Sequence, residues 1–215
     1  MAALIADRHA DLAITFVCDS DRVILMDDNS QLIDGNHVLA ILADALHREN
    51  SLLANTLVTT VMANGALHQF AAEHHFELIQ TPVGDKYVTE ALLGLTAQNT
   101  ADGQFGLGGE QSGHIILLDA NHRTGDGLRT ALFMLRVLLQ QEKPSLAALA
   151  SQIQKYPQLT ASCNVASKPD LKTLLPLQVK LDEVKRRLPG LVQLNSRYSG
   201  TEPKYRLMLE ADTRH

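Results

Sequence analysis

The sequence predicts an α/β protein in three parts: a partial α/β domain over residues 1–33, one complete α/β domain over 34–142, and a small α+β domain over 143–215. Two observations carry the class. Short β-rich runs alternate with apolar-periodic helices from residue 34 to about 141, the order expected of strands packed under helices. The composition, 45% hydrophobic and 20% charged over 215 residues, belongs to a globular chain able to bury a core. A third observation sets a boundary, since Gln140-Gln-Glu-Lys followed by Pro144 interrupts the last long helix.

Residues 11–17 and 22–27 read as short strands, and Asp28-Asn-Ser before Leu32-Ile33 is turn chemistry, so this opening looks like the end of a sheet. Asp34-Gly35 starts an apolar-periodic helix to about Leu46. A β-run at 56–61, a helix at 65–75, a strand at 76–80 and a helix near 86–95 follow, an alternation that favours parallel pairing. Strands at 104–107 and 115–118 precede Thr124-Gly-Asp-Gly127, where Thr124 or Asp126 caps a helix running to about Gln141. Past Pro144, a short helix at 145–153 leads into a strand at 158–166, a helix at 178–188, and strands at 191–196 and 204–210 joined by a polar loop.

Several function classes are disfavoured at once. A net charge of −5, 4% aromatic residues and no Trp argue against broad nucleic-acid affinity or base stacking, so any anion site has to be local. No apolar run approaches the roughly 18 residues of a membrane span, and Met1-Ala-Ala-Leu-Ile-Ala lacks the basic flank of a signal peptide. Cys18 and Cys163 have no metal-ligand spacing and are expected to be reduced thiols. The expectation is a cytoplasmic protein with neither membrane nor nucleic acid as partner.

Three loops carry the chemistry. Arg197-Tyr-Ser-Gly-Thr-Glu-Pro-Lys-Tyr-Arg206 gathers two guanidiniums, two hydroxyls and a glycine within ten residues, the composition of an anion cradle. Read alone, it is equally a polar turn between two strands. Cys18-Asp-Ser-Asp-Arg22 sets two carboxylates in alternate positions at the end of an apolar strand, which suits Mg²⁺ or a solvated turn. Gly108-Gly-Glu-Gln-Ser-Gly-His114 brackets a carboxylate, an amide, a hydroxyl and an imidazole with glycines, so that a polyhydroxyl ligand can approach closely; the bland alternative is a glycine-rich surface turn.

In order and approximate spacing these loops resemble those of the α-D-phosphohexomutases. The family's metal loop reads D-G-D-G-D-R, its sugar loop G-E-x-S-G-H, and its phosphate loop R-x-S-G-T-E-P with a later Arg. Here they read V-C-D-S-D-R, G-E-Q-S-G-H and R-Y-S-G-T-E-P-K-Y-R. His9-Ala-Asp-Leu, Met62-Ala-Asn-Gly65, Val83-Gly-Asp-Lys-Tyr-Val88 and Thr124-Gly-Asp-Gly127 point to the branch that acts on glucosamine phosphates. The resemblance implies that Glu110 and Ser112 hold sugar hydroxyls and that His114 sits near the reacting phosphoryl group. It implies that Arg197, Ser199, Gly200, Thr201 and Arg206 grip a distal phosphate, and that the ligand is a phosphorylated hexose or hexosamine. The family reaction interconverts glucosamine 6-phosphate and glucosamine 1-phosphate.

Departures from the family pattern shape the functional expectation. Members carry, in an N-terminal domain not matched here, the serine that shuttles the phosphoryl group. Thr160-Ala-Ser-Cys-Asn164 echoes that serine loop, but it follows the metal loop and falls on a predicted strand, so Ser162 is not the nucleophile. Val17 stands where the family's first metal carboxylate belongs, leaving Asp19 and Asp21 as a weakened Mg²⁺ pair. The sequence therefore reads as a truncated phosphohexomutase that binds phosphosugars and does not turn over alone. Alternatives are one half of a split mutase, or a regulatory pseudoenzyme. Because strands 11–17 and 22–27 lack sheet neighbours, a second copy or a partner chain is expected over residues 1–33.

Overall fold

The structure, a computed structural model, describes residues 1–98 and 103–212. Two compact units divide at Gln154/Lys155. The first contains residues 1–33, which build a sheet of their own, and extends past the boundary expected at 142 to include α6 (Leu146–Ala150). That helix belongs there because Leu146 and Leu149 are buried and Ser145 caps it, its Oγ accepting from the Ala148 N–H.

The N-terminal helix α1 (Ala2–Arg8) was not legible in the sequence. It has no side-chain cap, buries only Ile5, and stops where His9 turns left-handed at φ 48°. Strands β1 (Leu12–Phe16), β2 (Val23–Asp27) and β3 (Leu32–Ile33) follow as an antiparallel sheet in that order. Strand β2 alternates buried and half-buried residues, while β1 ends exposed.

Helix α2 (Gly35–Arg48) begins where the sequence places it, because the Asp34 carboxylate accepts from the backbone N–H groups of Asn36 and His37. The main sheet has the order β5-β4-β6-β7, with β4 (Leu52–Thr60) central. It starts four residues before the predicted run. Ala54 and Asn55 lie at φ 50° and 54°, and the register to β6 shifts between Leu52 and Leu57, so a bulge hides the first half of the strand from any two-residue periodicity.

Strand β4 pairs parallel with β5 (Glu77–Thr81) and with β6 (Phe105–Gly109), as the alternation predicts. Helices α3 (Ala66–Glu73) and α4 (Asp85–Gln98) make the β4-to-β5 and β5-to-β6 connections. Strand β7 (Ile115–Leu118) departs from the parallel expectation and runs antiparallel to β6, because only a tight five-residue turn joins them. Val58, Val88, Leu92, Ile116 and Leu118 pack as one buried cluster between the sheet and α4. Helix α5 (Gly127–Leu139) is capped by Asp126, whose Oδ1 accepts from the Arg129 N–H at 2.8 Å.

The second unit is a three-stranded antiparallel sheet, β8 (Gln158–Asn164), β10 (Lys204–Ala211) and β9 (Leu191–Tyr198) in spatial order, with helix α7 (Leu175–Arg187). Its charge is opposite to that of the first. Residues 155–215 hold eleven Lys and Arg against six Asp and Glu, whereas residues 1–154 hold eight against eighteen. No helix among the described residues is long and apolar enough to cross a membrane.

Candidate functional site

In the first unit three loops distant in sequence meet through backbone hydrogen bonds. The turn between β6 and β7 closes on itself, Glu110 N–H donating to His114 O at 2.9 Å and Gly113 N–H to Glu110 O at 3.0 Å. It then docks on the start of β2, where Val23 N–H donates to Gly113 O at 3.1 Å. Gly113 is at φ 88°, and a Cβ there would lie 2.2 Å from Val23 O, so only glycine fits the junction. The N-terminus of α2 is tied to the same turn by Gly35 N–H donating to Gln111 O at 3.1 Å, and the N-terminus of α5 to the 17–22 loop by Gly127 N–H donating to Ser20 O at 2.8 Å.

His114 sits at the centre, 6% exposed. Its Nδ1 is 3.1 Å from Asp21 Oδ2, and its backbone bridges to Arg22. Its Nε2 is buried with no hydrogen-bond partner. In the neutral tautomer that donates from Nδ1 to Asp21, Nε2 is the acceptor nitrogen. Gly125 makes room for the ring, since a Cβ there would fall 2.2 Å from Nε2.

Glu110 is half-buried, and its Oε1 accepts from the Gly84 N–H at 3.2 Å. The Val83-Gly-Asp-Lys segment thus orients the Glu110 carboxylate. Ser112, at the tip of the turn, is exposed. Sequence reasoning missed a further supporting pair. Asp119 accepts from Arg129 Nη2 at 2.6 Å and from the N–H groups of Asn121 and His122. Burial alone would raise its carboxyl, but those donors outweigh it and hold the group well below the usual carboxylate range.

The 17–22 loop makes a poor cation cage. Asp19 is exposed, its carboxyl lowered first by hydrogen bonding with the Asp21 carboxyl, then by backbone N–H groups of the loop and by Arg22. Asp21 Oδ2 is taken by His114 and lies 3.7 Å from Arg22 Nε, although Oδ1 is buried without a partner. Val17 contributes no ligand, and among the described residues no group of three His, Cys, Asp or Glu side chains is placed to hold a metal. Asp19 and Asp21 are the two carboxylates this loop offers, one of them engaged by His114. Ser20 adds strain, standing at φ 58° where a glycine would be unhindered.

In the second unit, Arg197 on β9 and Arg206 on β10 are direct cross-strand partners, and Ser162 on β8 is the partner of Arg206 on its other side. Ser162 lies on a strand, as the sequence predicts, and is exposed. The turn between Arg197 and Arg206 is closed by Ser199 N–H donating to Lys204 O at 2.8 Å, and Lys168 Nζ donates to Ser199 O at 2.6 Å. Ser199 is buried, whereas a Cβ on Gly200 would meet nothing within 4 Å, leaving that stretch of backbone open. Four cations, Lys168, Arg197, Lys204 and Arg206, therefore belong to this turn or its immediate contacts. Two like charges directly opposed across a sheet are unfavourable unless an anion lies near them.

The family model described as phosphoglucomutase/phosphomannomutase, alpha/beta/alpha domain III, matches residues 34–156. The chain belongs to this phosphohexomutase family. Phosphoglucosamine mutase of Shouchella clausii is 38% identical over 213 residues, 99% of this chain and 46% of that protein, and that of Bacillus subtilis is 36% identical over 214 residues. The chain spans about half the length of the curated relatives it matches. Among solved structures, N-acetylphosphoglucosamine mutase of Aspergillus fumigatus shares the fold, with a TM-score of 0.76 at 17% identity, over all of this chain and 49% of that one. A second structure of that fungal enzyme, in complex with GlcNAc-6P and magnesium, gives 0.74 at 18% identity.

Gly125→Ala should displace the His114 ring and break its contact with Asp21. Nitrogen-detected NMR of the imidazole should report a changed Nδ1 environment, and an unaltered ring signal would show that the packing at Gly125 is looser than the geometry requires.

Proposed function

We propose that the chain is the phosphosugar-binding portion of a phosphohexomutase of the phosphoglucosamine mutase type, and that its ligand is a phosphorylated hexosamine. The opposed pair Arg197 and Arg206, beside the turn of Ser199, Gly200 and Thr201, carries the reading. Two guanidinium forks, two hydroxyls and an open backbone suit the oxygens of a phosphate monoester. Glu110 and Ser112 supply hydroxyl contacts, with Glu110 pre-oriented by Gly84. His114, with Nε2 buried and unpartnered beside Gly125, is suited to hold or accept a proton next to a reacting phosphoryl group.

Interconversion of glucosamine 6-phosphate and glucosamine 1-phosphate needs a group that carries the phosphoryl between positions. Among the described residues none is offered in place of the family serine, Ser162 on β8 of the second unit included. Phosphoryl transfer rests on positioning and charge neutralisation. This chain supplies positioning, and turnover requires a serine-bearing segment from elsewhere. The protein is assigned to the cytoplasm.

A partner or a second copy over residues 1–33 is the second element of the reading. Strand β1 is paired on one side only, and Phe16, Val17 and Leu32 are 39%, 46% and 55% exposed. Leu128, Leu132 and Leu139 on α5, which packs against β1 and β2, are 58%, 58% and 74% exposed and share one helix face. Exposed apolar side chains on a sheet edge and on one helix face are the features a partner would cover. Sedimentation at tens of micromolar should give a self-associated species or a monomer that captures a serine-domain polypeptide. A clean monomer indifferent to both would remove this element.

Glucosamine 6-phosphate should bind more tightly than glucosamine. Arg197→Ala should cost about 1.5–3 kcal/mol, the range for hydrogen bonds to charged groups, or about tenfold to a hundredfold in affinity. Glu110→Ala should weaken both sugars alike. An NMR titration to several millimolar that moves no resonance in 108–114 or 197–206 would refute the reading.

Mg²⁺ binding to the chain alone should be weak, because two carboxylates, one engaged by His114, must do the work of three. Val17→Asp should tighten it in calorimetry. Micromolar binding by the unaltered chain would show that the remaining oxygens suffice.

A further inference from the structure

The anion cradle of the second unit contains an anion of its own. Glu202 follows Thr201 in the turn between β9 and β10. Its Oε1 accepts from Lys204 Nζ at 2.6 Å, and its Oε2 accepts from Arg206 Nη2. The turn folds back to allow this, with Glu202 N–H donating to Ser199 Oγ at 3.3 Å and Lys204 N–H to Glu202 O at 2.8 Å. Arg206 is one of the two opposed guanidiniums, so half of that pair, together with the neighbouring ammonium, is engaged by one carboxylate.

All three side chains remain accessible, Glu202 at 40%, Lys204 at 35% and Arg206 at 41%. Ion pairs this exposed are individually weak and exchange with other anions. Lys204 first, then Arg206, holds the Glu202 carboxyl below its usual range, so the residue stays ionised throughout neutral pH.

We propose that Glu202 is an internal counter-ion that an incoming anion must displace, and that this exchange sets a threshold which doubly charged phosphate monoesters clear and singly charged anions do not. A monoanion that ejects Glu202 replaces one negative charge by one and gains little. A dianion brings twice the charge and three acceptor oxygens to Lys204, Arg206 and Arg197, and the released carboxylate returns to water. Glu202 is thus a specificity-determining residue rather than a contact to ligand. The inference rests on the phosphate-cradle reading and adds to it a residue acting in opposition to binding.

The test titrates the full chain by amide NMR with methyl phosphate, whose second ionisation lies near about pH 6 for phosphate monoesters, and with singly charged dimethyl phosphate, both at pH 8. The unaltered chain should bind methyl phosphate and discriminate against dimethyl phosphate. Glu202→Gln should bind methyl phosphate about threefold to tenfold more tightly, the scale of its two exposed carboxylate–cation pairs, and should strengthen dimethyl phosphate binding as well, because the displacement cost it removes is common to both anions. Glu202→Asp, which keeps the charge, should bind both anions as the unaltered chain does. If Glu202→Gln binds methyl phosphate no better, or worse, while the unaltered chain binds it, the counter-ion role is overturned and the cradle stands. A gain in affinity in Glu202→Asp equal to that in Glu202→Gln also overturns it. If neither the unaltered chain nor Glu202→Gln binds methyl phosphate to tens of millimolar, the cradle reading falls together with the inference.

Discussion

The first unit depends on a backbone junction at which the 110–114 turn is pinned to the start of β2. Through Val23 N–H and Gly113 O, a hairpin of the main sheet holds the small N-terminal sheet, and the 17–22 loop is carried with it to the N-terminus of α5. Peptide groups, not side chains, make these joints, which is why glycines stand at 35, 113 and 127. A side chain at any of them would occupy the space of the opposing carbonyl. The contact of His114 with Asp21 is a result of that junction. Two residues 93 apart in sequence meet because their backbones are already joined at Arg22 and His114.

Much of this was legible in the sequence, for identifiable reasons. Asp34 and Asp126 announced α2 and α5 because an N-cap carboxylate is a local signal, complete within three residues. The strands carrying the phosphate turn were equally clear, since Arg197, Ser199 and Arg206 flank a glycine in a short hairpin. What escaped was non-local or self-interrupting. The bulge at Ala54 and Asn55 breaks the alternation that would have extended β4 to Leu52. Helix α1 lacks a cap and buries one side chain. The bonds from Gly84 to Glu110 and from Arg129 to Asp119 span 26 and 10 residues, and no spacing rule announces them.

The two halves of the binding chemistry differ in kind. In the first unit His114 is enclosed and Glu110, half-buried, is oriented by Gly84, so these groups are held in place by the fold. In the second unit the charged side chains of the turn are half-exposed and already paired with Glu202, so a ligand proposed to bind there would compete with that carboxylate. Preorganisation favours geometric discrimination among sugars, and competition favours discrimination by charge.

The uneven division of charge has a kinetic consequence. The chain as a whole is anionic, but the unit that holds the arginine turn carries a surplus of five positive charges, and the other a surplus of ten negative ones. At distances beyond a Debye length, about 8 Å at physiological ionic strength, these fields are largely screened. At low ionic strength they reach further, drawing small anions toward the basic unit and away from the acidic one. Capture rates should then fall as salt rises even though the molecule's overall charge would suggest the reverse, and ionic strength becomes a means of telling long-range steering from the short-range grip of the turn.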